Sequence, residues 1–179
     1  LIAGGLSVLE VTLRTDTAWE ALAGIVAAYP DATIGVGTVL EPEQMARAKA
    51  AGAKFAVSPG FDPVLVDAAR DHDLFYLPGV ATASEVMVAR RHGFRFMKFF
   101  PAEAAGGRPL LQSFASPFRG IAFCPTGGVG AGNLADYMAL PNVACVGGSW
   151  VATVKDMEQG DWSGITAKAK AAQNAGRVD

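Results

Sequence analysis

Short apolar and β-branched runs alternate along this chain with longer amphipathic segments. The runs cover residues 8–13, 33–36, 54–57, 74–77, 94–100, 121–124 and 143–146. Between them, residues 18–28, 42–51, 63–71, 83–92, 108–114 and 131–138, and a tail near 162–174, place apolar positions at helical spacing among good helix formers. Several of these segments open with capping chemistry, at Thr17, Asp62-Pro63 and Thr82-Ala83-Ser84-Glu85. The strands recur about every 20 to 27 residues, which is the rhythm of parallel β/α units. No linker, low-complexity tract or charge block interrupts it, so the pattern predicts one α/β domain over residues 1–179.

Doubly wound sheets and closed (β/α)8 barrels share that rhythm, and the strand ends separate them. A doubly wound sheet concentrates its site at one switch point, whereas a barrel collects functional residues from the C-terminal ends of many strands. Here unusual residues follow nearly every strand: Arg14-Thr15, Gly37-Thr38, Ser58-Pro59-Gly60, Pro78-Gly79, Lys98 with Pro101, Thr126-Gly127-Gly128 and Gly147-Gly148-Ser149. The expectation is a TIM (β/α)8 barrel.

Two strands carry charge where alternation predicts an inner face. Phe94, Phe96, Lys98 and Phe100 should share one side of their strand. Burial of an amine disfavours its charged form, and a neutral lysine is a nucleophile for carbonyl compounds. The alternative is a lysine at a strand end that snorkels its head into water. In the run 8–13, Leu9, Val11 and Leu13 fit a helix-facing surface, which leaves Val8, Glu10, Thr12 and Arg14 on the other face. Glu10 and Arg14 would then point up one wall, either as a structural ion pair or as a proton-transfer group beside a fork for a carboxylate.

The last two strand ends are rich in glycine: Pro125-Thr126-Gly127-Gly128-Val129-Gly130 and Gly147-Gly148-Ser149. Small residues let backbone N–H groups approach a ligand, and a helix following each loop would add its positive end. Barrels frequently bind phosphate with the loops after strands seven and eight. The pair therefore reads as an anion cradle.

Composition narrows the partners. With 15 basic and 17 acidic residues and no basic cluster, nucleic acid and anionic membrane are excluded as expected partners. No apolar stretch is long enough to span a bilayer and no charged n-region opens the chain, so a cytoplasmic protein is expected. Cys124 and Cys145 sit in separate apolar runs and read as buried free thiols, while His72 and His92 read as surface residues. Nothing has metal-ligand spacing, so no metal or other cofactor is expected.

Six blocks together resemble the bacterial 2-keto-3-deoxy-6-phosphogluconate (KDPG) and 4-hydroxy-2-oxoglutarate (KHG) aldolase family. They are Glu10-Val11-Thr12-Leu13-Arg14-Thr15, Gly35-Val36-Gly37-Thr38-Val39, Ser58-Pro59-Gly60, Lys98-Phe99-Phe100-Pro101-Ala102-Glu103, Cys124-Pro125-Thr126-Gly127-Gly128 and Gly147-Gly148-Ser149-Trp150. The resemblance runs from the first strand to the last helix. It implies a class I, metal-free lyase of the Entner–Doudoroff pathway and a homotrimer. It implies cleavage of KDPG to pyruvate and glyceraldehyde 3-phosphate, and of 4-hydroxy-2-oxoglutarate to pyruvate and glyoxylate. By the same resemblance Lys98 is the Schiff-base lysine and Glu10 the proton shuttle. Arg14 and Thr38 hold the pyruvate carboxylate, Pro59 and Phe100 shape the pyruvyl pocket, and Gly127, Gly128, Gly148 and Ser149 take the distal phosphate.

Leu1-Ile2-Ala3-Gly4-Gly5 reads as the last turn of a helix with a glycine cap. Seven strands are legible where a closed barrel has eight, so the first strand and most of the first helix, about 25 to 40 residues, are expected to be missing upstream. Three rivals remain open: a catalytically silent phosphate-binding or trimer-forming barrel, another phosphate-binding barrel enzyme such as an isomerase or epimerase, and an aldolase for the galactonate-derived epimer.

Overall fold

The computed structural model describes residues 1–176 as two units, Ser7–Lys98 and a second made of Leu1–Leu6 with the chain from Phe99 on. In the first unit β1 (Val8–Thr12), β2 (Thr33–Gly37), β3 (Phe55–Val57) and β4 (Phe75–Leu77) form a parallel sheet in that order. The two-residue β5 (Gly79–Val80) and then β6 (Phe96–Phe99) follow, and the Lys98 amide donates to Pro78 O at 2.9 Å. Apart from Pro78, which alone joins β4 to β5, each connection contains a helix: α1 (Ala18–Ala28), α2 (Pro42–Ala50), α3 (Pro63–Asp71) and α4 (Ala83–Arg91). This is the right-sized crossover for parallel neighbours, and all four helices fall where periodicity placed them.

Caps explain where the helices start. Asp62 accepts from the Val64 amide with Pro63 in the first turn, and Thr82 and Glu85 form a reciprocal capping box. Thr17 precedes α1 without a side-chain cap, its hydroxyl lying 3.4 Å from that of Thr15. The residues Leu22, Met45, Leu65, Val66, Val86 and Ala89 on the helices and Ile34, Val36, Ala56 and Val57 on the strands are all buried.

In the second unit α5 (Gly107–Phe114) presents Phe114 to Phe99, Phe118 and Phe123, with ring centroids 6.3, 5.4 and 6.0 Å away. Contacts of this kind add about 0.5–1.5 kcal/mol each beyond area burial and lock the end of β6 and strand β7 (Ala122–Pro125) to one helix. A short α6 (Leu134–Met138), a short α7 (Val154–Glu158) and α8 (Trp162–Ala175) complete the unit. The expected glycine-capped turn is a 3-10 turn at Ile2–Gly4 with Gly5 at φ 94°. A Cβ on Gly4 would lie 2.6 Å from Ala169 Cβ, so the turn needs glycine to seat on α8.

The expected strand at 143–146 does not form. Only two isolated bridges occur, Phe123 with Val143 and Thr126 with Gly147. Ala144 donates to Phe123 O, but the next ladder donor would be the nitrogen of Pro125, which carries no hydrogen. The pairing slips by one residue, and Gly147 rather than Val146 donates to Pro125 O at 3.0 Å. The sequence pattern also misses α7, which rests on a capping box between Thr153 and Asp156 rather than on apolar periodicity. No helix among the described residues is long and apolar enough to cross a membrane.

Candidate active site

Lys98 lies near the end of β6 and is buried, 6% exposed, so it does not snorkel. Its strand neighbours Met97 and Phe99 are fully buried. Glu10, on β1, brings Oε1 to 3.9 Å from Lys98 Nζ, with side-chain exposures of 31% and 8%. The two charges chosen from alternation therefore meet. The separation exceeds a direct hydrogen bond and stays within ion-pair distance, so one reacting group lying beside the pair can reach both.

Arg14 corrects the expected geometry. Strand β1 ends at Thr12, Leu13 donates to Gly37 O at 2.8 Å, and the chain then turns toward α1. Arg14 lies in that turn, exposed, with Nε donating to Thr12 Oγ1 at 3.3 Å. Glu10 has Lys98, not Arg14, as its ion partner, so the structural Glu10–Arg14 pair does not form. Phe94 also leaves the strand. Its ring packs edge-on against Phe61 and Tyr76, at 6.1 and 5.7 Å.

Thr38 follows β2 with φ 62°. A β-branched residue in the left-handed region is strained, by about 1–3 kcal/mol, and persists only when its surroundings over-determine it. The pins on either side are visible: Gly37 O accepts from Leu13, and the Val39 amide donates to Val57 O at 3.0 Å.

Pro59 sits in a turn held from below. Ser58 Oγ donates to Gly60 O at 2.5 Å, so its other contact, 2.6 Å from the Tyr76 hydroxyl, must be donated by Tyr76. Burial pushes the Tyr76 pKa up to about 12, which keeps that proton in place. A Cβ on Gly79 would lie 2.2 Å from Pro59 O, so Gly79 lets the turn approach. Neither Tyr76 nor the role of Gly79 is legible in the sequence, because both depend on pairing between β3 and β4.

In the second unit the bridge from Thr126 to Gly147 sets the two glycine loops side by side. Gly127 and Gly128 have φ 96° and 82°, and a Cβ on Gly127 would meet the Phe100 ring at 3.3 Å. Among the described residues the amides of Gly127, Gly128, Gly148 and Ser149 meet no protein acceptor. The helix ends expected behind them do not contribute. Helix α6 starts at Leu134, not 131, and its five residues follow a turn whose Gly130 amide is already taken by Asn133 Oδ1 at 2.8 Å. Helix α7, also of five residues, is capped by Thr153. Glu103, a carboxylate that no spacing in the sequence singles out, packs against Gly128 and accepts from the buried Tyr137 hydroxyl, whose pKa is raised by burial and by that carboxylate.

Away from these groups, Cys124 is buried as expected but Cys145 is exposed, because its segment is not a strand within the sheet. His72 is exposed, while the half-buried His92 ring meets that of Phe61 at 5.2 Å, tilted by 58°. Among the described residues no cluster of three or more His, Cys, Asp or Glu is placed to hold a metal.

A sequence model described as KDPG and KHG aldolase matches residues 1–168. The chain belongs to the KDPG and KHG aldolase family. It is 50% identical to the 2-dehydro-3-deoxy-phosphogluconate aldolase of Dickeya dadantii, over 96% of this chain and 81% of that one. It is 46% identical to the KHG/KDPG aldolase of Escherichia coli, over 99% and 84%. A solved structure of the Legionella pneumophila KDPG aldolase, with pyruvate captured as a covalent carbinolamine, is 46% identical with a TM-score of 0.93, covering 96% of this chain and 83% of that one. The α/β fold with parallel strands is thus that of an aldolase family, and the chain is a lyase.

Proposed function

We propose that this aldolase cleaves KDPG to pyruvate and glyceraldehyde 3-phosphate, and 4-hydroxy-2-oxoglutarate to pyruvate and glyoxylate, through an imine on Lys98. The observation that carries the reading is the buried Lys98 ammonium with the Glu10 carboxylate 3.9 Å away. Lys98 gives a proton to Glu10 and its neutral amine adds to the C2 ketone; Glu10 hands that proton to the departing hydroxyl, so water leaves and a protonated imine remains. When Glu10, directly or through one water, takes the C4 hydroxyl proton, the C3–C4 electrons flow into the imine and the aldehyde departs. Glu10 returns the proton to the enamine carbon, and water releases pyruvate and the amine. The imine supplies the electron sink, and the reading requires no metal or other cofactor.

Arg14 and Thr38 hold the pyruvate carboxylate in this reading. An exposed guanidinium offers a two-pronged donor, and the strained Thr38 backbone is the sort of feature that ligand clamps retain. Pro59 and Phe100 border the pyruvyl group. The amides of Gly127, Gly128 and Gly148, with Ser149, take the phosphate, supported by their left-handed or close-packed glycines and open donors rather than by helix dipoles. Residues 1–179 act as a single β/α-barrel domain in a cytoplasmic homotrimer.

The test is pyruvate release from KDPG, from 4-hydroxy-2-oxoglutarate and from the galactonate-derived epimer, followed with lactate dehydrogenase. KDPG should give the highest kcat/KM. Preference for the epimer would replace the substrate assignment, and failure on all three would leave a silent phosphate-binding barrel.

A further inference from the structure

On β2, Gly35 and Gly37 stand two residues apart and therefore face the same side of the sheet. Glu10 pairs with Gly35, which pairs in turn with Phe55 on β3. The Phe55 ring fills the place of a Gly35 side chain, at 2.5 Å from where a Cβ would stand. The Glu10 side chain leans along the strand instead and fills the place at Gly37. A Cβ there would lie 1.6 Å from Glu10 Oε1, 2.4 Å from Cδ and 2.7 Å from Cγ. Gly37 is absent from the left-handed glycines, so its backbone does not call for glycine; the space does.

We infer that Gly37 is a positioning residue for proton transfer, its missing side chain being the seat that holds the Glu10 carboxylate 3.9 Å from Lys98. The inference rests on the reading of Glu10 as the proton shuttle. Real Cβ contacts keep at least 3.0 Å, so in Gly37→Ala the Oε1 must retreat by at least 3.0 − 1.6 = 1.4 Å. The three nearest atoms all belong to one flexible side chain, so the methyl group is accommodated when the carboxylate swings away. Misplacement of a reacting group by about 1 Å costs on the order of 10²-fold in rate.

The experiment combines Gly37→Ala, Glu10→Ala and the double variant, read by kcat and KM for KDPG cleavage, exchange of the pyruvate methyl protons in D2O, imine trapping with borohydride, and melting. Gly37→Ala should melt near the parent, trap pyruvate on Lys98 with KM little changed, and lose about 10²-fold in kcat and in exchange. In the Glu10→Ala background Gly37→Ala should cost nothing further, because a residue that acts only through Glu10 has nothing left to position. Exchange within twofold of the parent in Gly37→Ala, or losses that multiply in the double variant, overturns the inference while leaving the Glu10 assignment intact. Unimpaired exchange in Glu10→Ala overturns both. If Gly37→Ala fails to fold, recovery of folding in the double variant, which lacks all three clashing atoms, supports the seat; continued failure overturns it.

Discussion

Replacing Glu10 by Gln keeps the shape of the side chain and removes its charge and basicity, which isolates the step assigned to it. At 3.9 Å, the attraction between Glu10 and Lys98 is about 4 kcal/mol at an effective dielectric near 20 and about 1 kcal/mol in water. Side-chain exposures of 31% and 8% place the pair between those limits, so the variant should fold and still form some imine. Loss of a general acid–base should slow cleavage by on the order of 10² to 10⁴, or about 3 to 5.5 kcal/mol in barrier. The separating assay is single-turnover: borohydride with pyruvate scores imine formation, quenched flow with KDPG scores bond cleavage, and NMR in D2O scores exchange at the pyruvate methyl group. Imine should be retained while cleavage and exchange fall together. Parent-like exchange with slow cleavage would refute the proton-shuttle role, and loss of folding would make the Glu10–Lys98 pair structural.

Three further outcomes follow from the same geometry. Ser149→Ala removes one hydrogen bond to a charged group, about 1.5–3 kcal/mol, and should raise KM for KDPG about ten- to a hundredfold or more while leaving 4-hydroxy-2-oxoglutarate nearly untouched; equal effects in steady-state assays would place Ser149 away from the phosphate. Tyr76→Phe leaves the buried Ser58 hydroxyl without its donor, so it should lower stability by about 1–3 kcal/mol in urea unfolding and raise KM through the Pro59 turn; an unchanged midpoint would deny the Tyr76–Ser58–Gly60 chain its role. Asp156 is held down to about 2 by Lys168 and then by Thr153. A depressed carboxyl stabilises fully above its unfolded value of about 3.9 and loses that contribution as pH falls toward the folded value. Asp156→Asn should therefore flatten the fall in Tm between about pH 4 and pH 2, and an unaltered acid limb would show that the α7–α8 tie contributes nothing there.

Apart from the two-residue β5, the strands and helices of the first unit were legible because each buries a face, and burial writes its period into the sequence. Lys98 and Glu10 were legible for the same reason, as charges at positions where the alternation predicts an inner face. Legibility ended where backbone hydrogen bonding overrode side-chain pattern. Arg14 continues the alternation of β1 but lies past its last pair, and residues 143–146 look like a strand until Pro125 interrupts their ladder. The left-handed Thr38 leaves no trace in residue type, since a β-branched residue is the last choice for that conformation. Tyr76, Gly79 and the Glu103–Tyr137 contact join distant segments, and only the folded chain brings them together.

The central claim is that Lys98 forms the imine, and borohydride reduction in the presence of pyruvate tests it most directly. Peptide mass mapping should find one stable adduct, on Lys98, in step with loss of activity, and chelators should leave activity intact. An adduct on Lys49 or Lys54, or activity lost to a chelator and restored by a divalent metal, would contradict the account.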